Sequence, residues 1–317
     1  MTAPGRVFTD PRQVDTGYLE RCLGVPVTGM AIEPAAAACS SQAILRVATA
    51  GGPLVLRLKC CDTRFGRSEV DYYLADYAGL ADSPLVKCVD GRYDAAVGYH
   101  LLLEDVSENY TDRRDRAPTL EHFLAVAGAL ACLHRHRWES QPPPAPERLD
   151  AYFGHVRGGL SRLAALTGID LRERIVRHEA ALRRRFADPR GQALLHGDLN
   201  PTNILTPVDG EQPVYFLDRQ PFDWSITYGV AAADLAYAIV PWSPAAFTRE
   251  HARAIVQHWH GCLGVPGYAW EQAWADWCLG VETCLGVPLG WCTGADDAQR
   301  MRWLWEEQLR RVLAWGG

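Results

Sequence analysis

Lysine is nearly missing from this chain. Of thirty-two basic residues only Lys59 and Lys87 are lysines, so any step that needs a lysine must use one of them. The excess of arginine reads as a GC-rich genome rather than as chemistry. No C-x-x-C pair occurs among the ten cysteines, and none stands at metal-ligand spacing from a histidine. That removes zinc-finger and dithiol redox readings and leaves small buried hydrophobes in a reducing cytosol. No apolar run reaches membrane-spanning length, and MTAPGRVFTDPRQ at the N-terminus has no apolar stretch of signal-peptide length. Positive charge is not in excess either: a net charge of −6 argues against a nucleic-acid backbone as the main partner. A soluble, cytoplasmic protein is the expectation.

What is present fits two lobes or domains, because 317 residues exceed one typical domain. SQAILRVATAGGPLVLRLK (41–59) predicts two strands joined at Gly51-Gly52-Pro53. SEVDYYLADYAGL (68–80) predicts a helix with Val70, Tyr73, Leu74 and Tyr77 on one face and Gly79 near its end. A strand over PLVKCVD (84–90), a turn at Gly91 and the segment AAVGYHLLLEDV (95–106) follow. Beyond residue 117 the pattern becomes helical. TLEHFLAVAGALACLHRHRW (119–138) is amphipathic, QPPPAPE (141–147) is a connector, 148–188 is helical and Arg-rich, and AAADLAYAIV (231–240) is a buried helix. CLGVP recurs at 22–26, 262–266 and 284–288, each time after a helical stretch. A helix-ending Gly with Pro two residues on accounts for it without an internal repeat.

LLHGDLNPTNIL (194–205) carries the chemistry. Two apolar pairs bracket a polar loop holding Asp198, Asn200, Thr202 and Asn203, and Pro201 bars a regular helix. A catalytic loop anchored at both ends has this form; so does an ordinary polar turn. The neighbours in sequence favour the first. LVLRLK offers a strand cation, Glu69 lies on the first turn of the next helix, HLLLEDV enters the helical half, and VYFLDRQ (214–220) ends an apolar strand in Asp218. Together they make the part list of phosphoryl transfer from a nucleotide: a phosphate-binding cation paired with a helix acid, an acid for the attacking hydroxyl, and an Asn and an Asp for Mg²⁺.

In these segments the sequence resembles the aminoglycoside phosphotransferase and choline/ecdysteroid kinase-like superfamily, small-molecule relatives of the protein kinases. HGDLNPTN fits the loop H-G-D-x-x-x-x-N, FLDRQ the metal strand, GRSEVDYYL the ion-pair helix, YHLLLEDVS the hinge, and TYGVAAADLAYAI the downstream Asp helix. The likeness spans roughly residues 35–315, and five pieces in the right order are specific where one would not be. It implies an α+β, bilobal protein-kinase-like fold, with a β-rich nucleotide lobe and hinge over 1–106 and a helical lobe over 107–317. It implies Asp198 as catalytic base, His196 as loop support, Asn203 and Asp218 as Mg²⁺ ligands, Glu69 as holder of the strand cation, the backbone from Leu103 through Glu104 to Val106 against adenine, and Asp234 as brace of the loop. Gly197 stands where protein kinases carry an Arg, so a phosphorylation switch is not expected.

Three points depart from the pattern or stay open. Alignment puts Arg57 at the usual Lys position, while Lys59, two residues on and facing the same way, is the better chemical match. The glycine-rich nucleotide loop is replaced by AAAACSSQA (35–43), with Ser40 and Ser41 as phosphate donors or as a solvated turn. Arg219 takes the place of an aromatic after the metal Asp. On the acceptor side Trp270, Trp274 and Trp277 share a helical face, read as core or as a substrate wall. Asp276 and Glu282 could meet an amine or hydroxyl, or be a solvated face. The expected activity is ATP- and Mg²⁺-dependent phosphorylation of a small-molecule hydroxyl, on an antibiotic or other secondary metabolite, by a monomer or homodimer. A metabolic kinase for an amino alcohol or sugar and a nucleotide-binding pseudokinase are the alternatives.

Overall fold

A computed structural model describes residues 6–37, 40–209, 213–219 and 224–315. The chain divides into two compact units, Met1–Thr111 with Pro207–Phe222, and Asp112–Thr206 with Asp223–Gly317.

The first unit is built on an antiparallel five-stranded sheet. Its strands are β1 (Val27–Ala35), β2 (Ser41–Thr49), β3 (Gly52–Cys61), β4 (Cys88–Asp94) and β5 (Gly98–Glu104), in the order β1-β2-β3-β5-β4. Helix α1 (Thr16–Leu23) precedes it, and α2 (Ser68–Asp71) follows β3. Side chains alternate along a strand, so β3 divides cleanly. Leu56, Leu58 and Cys60 face a core with Leu45, Val47, Leu102, Tyr18 and Leu19. Arg57, Lys59 and Cys61 face the other way. Leu58 has no exposed surface, and truncating such a leucine to alanine costs about 2–5 kcal/mol.

Two expectations are corrected here. The segment 68–80 is not one regular helix: α2 passes at Tyr72 into a π-helical turn (Tyr72–Asp76), where the Tyr77 amide bonds the Tyr72 carbonyl at 3.2 Å. The wider turn puts Tyr72 against Tyr77, ring centroids 4.7 Å apart, and turns Leu74 out to 41% exposure. Gly91 is not a turn either. It lies inside β4 opposite Leu101, where a Cβ would come within 2.7 Å of that leucine's Cδ2, so any side chain here would have to displace Leu101. The reversal falls at Asp94–Gly98, with the Val97 amide on the Asp94 carbonyl and Gly98 at φ +113°. Within 84–90, Leu85 forms only an isolated bridge to Phe216.

The remaining strands are short: β6 (Tyr110–Thr111), β7 (Gln192–Leu194), β8 (Ile204–Pro207), β9 (Tyr215–Phe216) and β10 (Tyr228–Val230). The second unit is mostly helical, with α3 (Leu120–His136), α4 (Pro146–Gly158), α5 (Leu160–Thr167), α6 (Arg172–Phe186), α7 (Ala232–Ile239), α8 (Ala245–Leu263), α9 (Trp270–Thr283), α10 (Gly286–Trp291), α11 (Ala295–Arg300) and α12 (Arg302–Trp315). Its β7 and β10 pair antiparallel just before the loop of interest. Gly24 and Gly264 end α1 and α8 in the left-handed conformation, as the CLGVP pattern predicts. The third copy differs: Gly286 opens α10, and a Cβ there would lie 2.5 Å from the Tyr152 hydroxyl. None of the helices among the described residues is long and apolar enough to cross a membrane.

Candidate active site

The loop after β7 is fixed by its own residues and by α7. Gly197 takes φ +81°, a conformation costly for any residue with a Cβ. Asp234, near the start of α7, accepts the amides of His196 at 2.5 Å and Gly197 at 3.0 Å. Burial works against the charge of Asp234, yet its bonds to His134 and to the Gly197 amide hold its carboxyl below the usual range. Behind it, the Trp259 indole N–H donates to Nδ1 of His134 at 3.2 Å. An indole nitrogen can only donate, so Nε2 of His134 carries the proton and faces Asp234 Oδ2 at 3.4 Å. His196 is buried, and its Nδ1 accepts the Asp198 amide at 3.3 Å.

Downstream, Asn200 caps a short 3₁₀ turn (Pro201–Asn203) through the Thr202 amide. Pro201 stands at the first position of this turn, where its missing N–H costs nothing, and no regular helix follows. The carboxylate of Asp198 receives the Asn200 amide at 3.1 Å on Oδ1, the Asn203 amide at 3.2 Å on Oδ2, and the Tyr237 hydroxyl at 3.1 Å on Oδ1. Asn203 also donates to the Asp198 carbonyl at 2.8 Å.

In the first unit the two strand cations separate. Lys59, 2% exposed, donates to both carboxylate oxygens of Glu69, at 3.0 and 2.8 Å, and to Asp218 at 2.9 Å. Arg57 instead pairs with Asp105 at 2.9 Å and reaches Gln42 at 3.4 Å. Glu69 is gripped further by the Tyr99 hydroxyl. Burial pulls the Lys59 ammonium down, and the charges of Glu69 and Asp218 more than reverse it, holding it charged well above its ordinary range. Asp218 adopts φ +58°, uncommon for a non-glycine residue and found often at functional positions.

Arg219 fills the aromatic's place by polar means. It is 3% exposed, bonds the Ser68 hydroxyl and carbonyl, and lies over the Tyr72 ring at 5.0 Å. It therefore grips the first turn of α2, one residue from Glu69.

The other candidates fall as follows. Ser41 begins β2, paired with Cys60, and Ser40 Oγ accepts the Gln42 amide at 2.9 Å; residues 38–39 of that stretch, and Gln220, lie outside the described residues. In the hinge segment, the Glu104 amide bonds the Lys87 carbonyl and the Asp105 amide the Val55 carbonyl. A cleft of about 680 Å³ is lined by Glu104, Asp105 and Val106 with Tyr73, Tyr77 and Lys87, but by neither Lys59 nor Asp218. It opens beside the hinge segment.

Asp276 and Glu282 are each paired with an arginine within the protein. Asp276 is 1% exposed and holds Arg185 at 2.6 and 2.8 Å and the Tyr268 hydroxyl at 2.8 Å. Glu282 holds Arg174 at 2.8 and 2.6 Å. Trp277 is core, whereas Trp270 and Trp274 are half-buried beneath Arg253.

Sequence reasoning missed Tyr99, Tyr237 and the hold of Arg219 on α2. Tyr99 stands opposite Cys61, two residues from Lys59 and on the same face. Tyr237 follows Asp234 by three, one helical turn.

A search of curated proteins by sequence finds no significant match. By structure, the chain is similar to the ethanolamine kinase of Plasmodium vivax, with a TM-score of 0.61 and 15% identity over 90% of this chain and 81% of that one. It is similar also to a spectinomycin phosphotransferase solved with ADP and spectinomycin, with a TM-score of 0.52 and 10% identity over 96% and 98%. A microcompartment-associated aminopropanol kinase scores 0.52 at 13% identity over 94% and 97%. At these identities the likeness is one of fold, and it bears out the α+β kinase-like architecture. The phosphotransferase enzyme family model (APH) matches residues 31–274, and with most of its length covered, the chain belongs to this family of small-molecule phosphotransferases.

Proposed function

We propose that the protein transfers the γ-phosphate of ATP to a hydroxyl of a small molecule, an antibiotic or other secondary metabolite. The observation that carries this reading is the buried Lys59 ammonium held by Glu69 and Asp218, in a chain whose Asp198 loop is braced through Asp234. Lys59, rather than Arg57, is assigned to the nucleotide phosphates. A lysine fixed by a buried acid presents a preformed charge to them and needs no reorganisation. Asp198 is assigned as the base for the acceptor hydroxyl, and the hinge main chain at Leu103–Val106 to adenine. With the amides of Glu104 and Asp105 bonded within the chain, the Val106 amide is the hinge donor proposed for the base.

The donors offered to Mg²⁺ are the side-chain oxygens of Asn203 and Asp218, hard ligands of the class this ion takes. When bound, it would neutralise phosphate charge.

The fold likenesses include kinases of amino alcohols as well as of an antibiotic, so the test must carry both. ATP consumption should be measured against pooled aminoglycosides, spectinomycin-type compounds and amino alcohols, with Asp198→Asn as control. Stoichiometric phosphorylation of one acceptor by the wild type alone is expected. Equal ATP consumption by the Asn variant would remove Asp198 as base, and exclusive turnover of an amino alcohol would replace the antibiotic reading by the metabolic one.

A further inference from the structure

We propose that Tyr237 is a positioning residue for phosphoryl transfer, its phenol holding the Asp198 carboxylate in the orientation from which it receives the acceptor's proton. The proposal rests on Asp198 being the base.

Helix α7 meets the loop twice. Asp234 binds its backbone at the His196 and Gly197 amides, and one turn later Tyr237 donates to Oδ1 of Asp198 at 3.1 Å. Asn200 and Asn203 also bond that carboxylate, but they belong to the loop and move with it. Tyr237 stands on the helix, so it ties the reacting group to the element that fixes the loop. Its ring is itself held, lying edge-on to Trp242 with centroids 5.9 Å apart and planes at 89°. The hydroxyl acts as donor throughout: burial, then the negative charge of Asp198, keeps it protonated far above the ordinary tyrosine range. The other ionisable groups acting on it are Cys284 and Asp234.

A carboxylate free to turn about its χ2 presents the wrong lone pair part of the time. One fixed by donors on a rigid element is organised before the acceptor arrives, and that gain is realised in turnover rather than in nucleotide binding.

ATP hydrolysis with water as acceptor tests this without knowledge of the natural acceptor. Tyr237→Phe keeps the ring and removes the donor. Its kcat should fall roughly tenfold to a hundredfold, the size of a hydrogen bond to a charged group. KM for ATP should stay within about twofold, since no ground-state nucleotide contact is lost. In an Asp198→Asn background the same change should have no further effect, because the group it orients is gone. Wild-type kcat in Tyr237→Phe, with Asp198→Asn inactive, overturns the proposal alone; wild-type hydrolysis by Asp198→Asn removes the base assignment beneath it. Should the Phe variant fail to fold, tyrosine labelled with ¹³C at Cζ reads the contact in the otherwise unaltered protein. Its Tyr237 signal should shift on Asp198→Asn, and an unmoved signal overturns the proposal.

Discussion

Arg219 bonds the hydroxyl and the carbonyl of Ser68, the first residue of the helix that presents Glu69 to Lys59. The residue after Asp218 thus controls where the helix acid sits. An aromatic at this place could hold the helix only by packing, whereas the guanidinium does so by directed bonds and by stacking on Tyr72. Arg219→Leu should leave the Lys59–Glu69 pair less well fixed. We expect kcat/KM for ATP to fall about tenfold, from the loss of hydrogen bonds worth roughly 1–2 kcal/mol. Steady-state kinetics at varied ATP check it; an unchanged kcat/KM would mean that the helix needs no such tether.

Lys59 and Glu69 should fail alike. Each is 2% exposed, and removing one side of a buried pair leaves the other charge uncompensated, a loss of about 3–5 kcal/mol. Lys59→Met and Glu69→Gln are expected to lose at least a hundredfold in turnover. The double variant should be little worse than the worse single, as for residues acting as one unit. Arg57→Met, which removes a 30% exposed side chain paired with Asp105, should stay within a few fold. The reverse order would return the phosphate role to Arg57.

How far the sequence announced this structure depends on the kind of signal. Strand alternation located β2 and β3 and showed that Arg57 and Lys59 face the same way. For that same reason it could not choose between them, since the choice rests on Asp105 and Glu69, acids distant in sequence. The 3.6-residue pattern found the helix at 68–80 but not its π turn, because an i→i+5 step moves Tyr72 and Tyr77 onto one face without altering composition. Gly91 and Gly286 look in sequence like any turn glycine. Only their neighbours Leu101 and Tyr152 show that they answer to crowding. The loop motif was legible residue by residue, whereas Tyr237 was hidden in a helix that read simply as buried.

Gly197 provides a separate test of loop geometry. Its φ of +81° is one that an L-residue adopts at a cost of roughly 1–3 kcal/mol. No atom lies within 4 Å of the position a Cβ would take, so Gly197→Ala probes backbone conformation without a clash. The variant should fold, lose about that much stability, and lose turnover disproportionately as the His196 and Gly197 amides drift from Asp234. Thermal melts and kcat measured together check it; full activity at reduced stability would show that the loop tolerates another conformation.

The acid limb of stability should trace to buried histidines in the helical unit. Burial depresses His178 from 6.5 to about 4, and the opposing charge of Glu282 does not reverse it. His122 is lowered to about 4 by burial and by Arg113. A histidine held neutral in the fold titrates near 6.5 once unfolded. Above that pH neither state binds the proton, and the contribution to stability is complete. As pH falls from 6.5 toward 4 the unfolded chain takes up the proton first, so stability drains away over that window; below 4 both states are protonated and the loss stops. Between pH 6.5 and 5 each histidine should therefore cost about 2 kcal/mol. His178 lies 5% exposed against Phe153, with Nε2 3.3 Å from the Thr283 hydroxyl. His178→Gln keeps a polar group for Thr283 and removes the titration. It should melt below the wild type at pH 7.5, yet lose less on going to pH 5. Denaturant titrations of both proteins at these two pH values decide it, and parallel losses would mean that the acid sensitivity arises elsewhere.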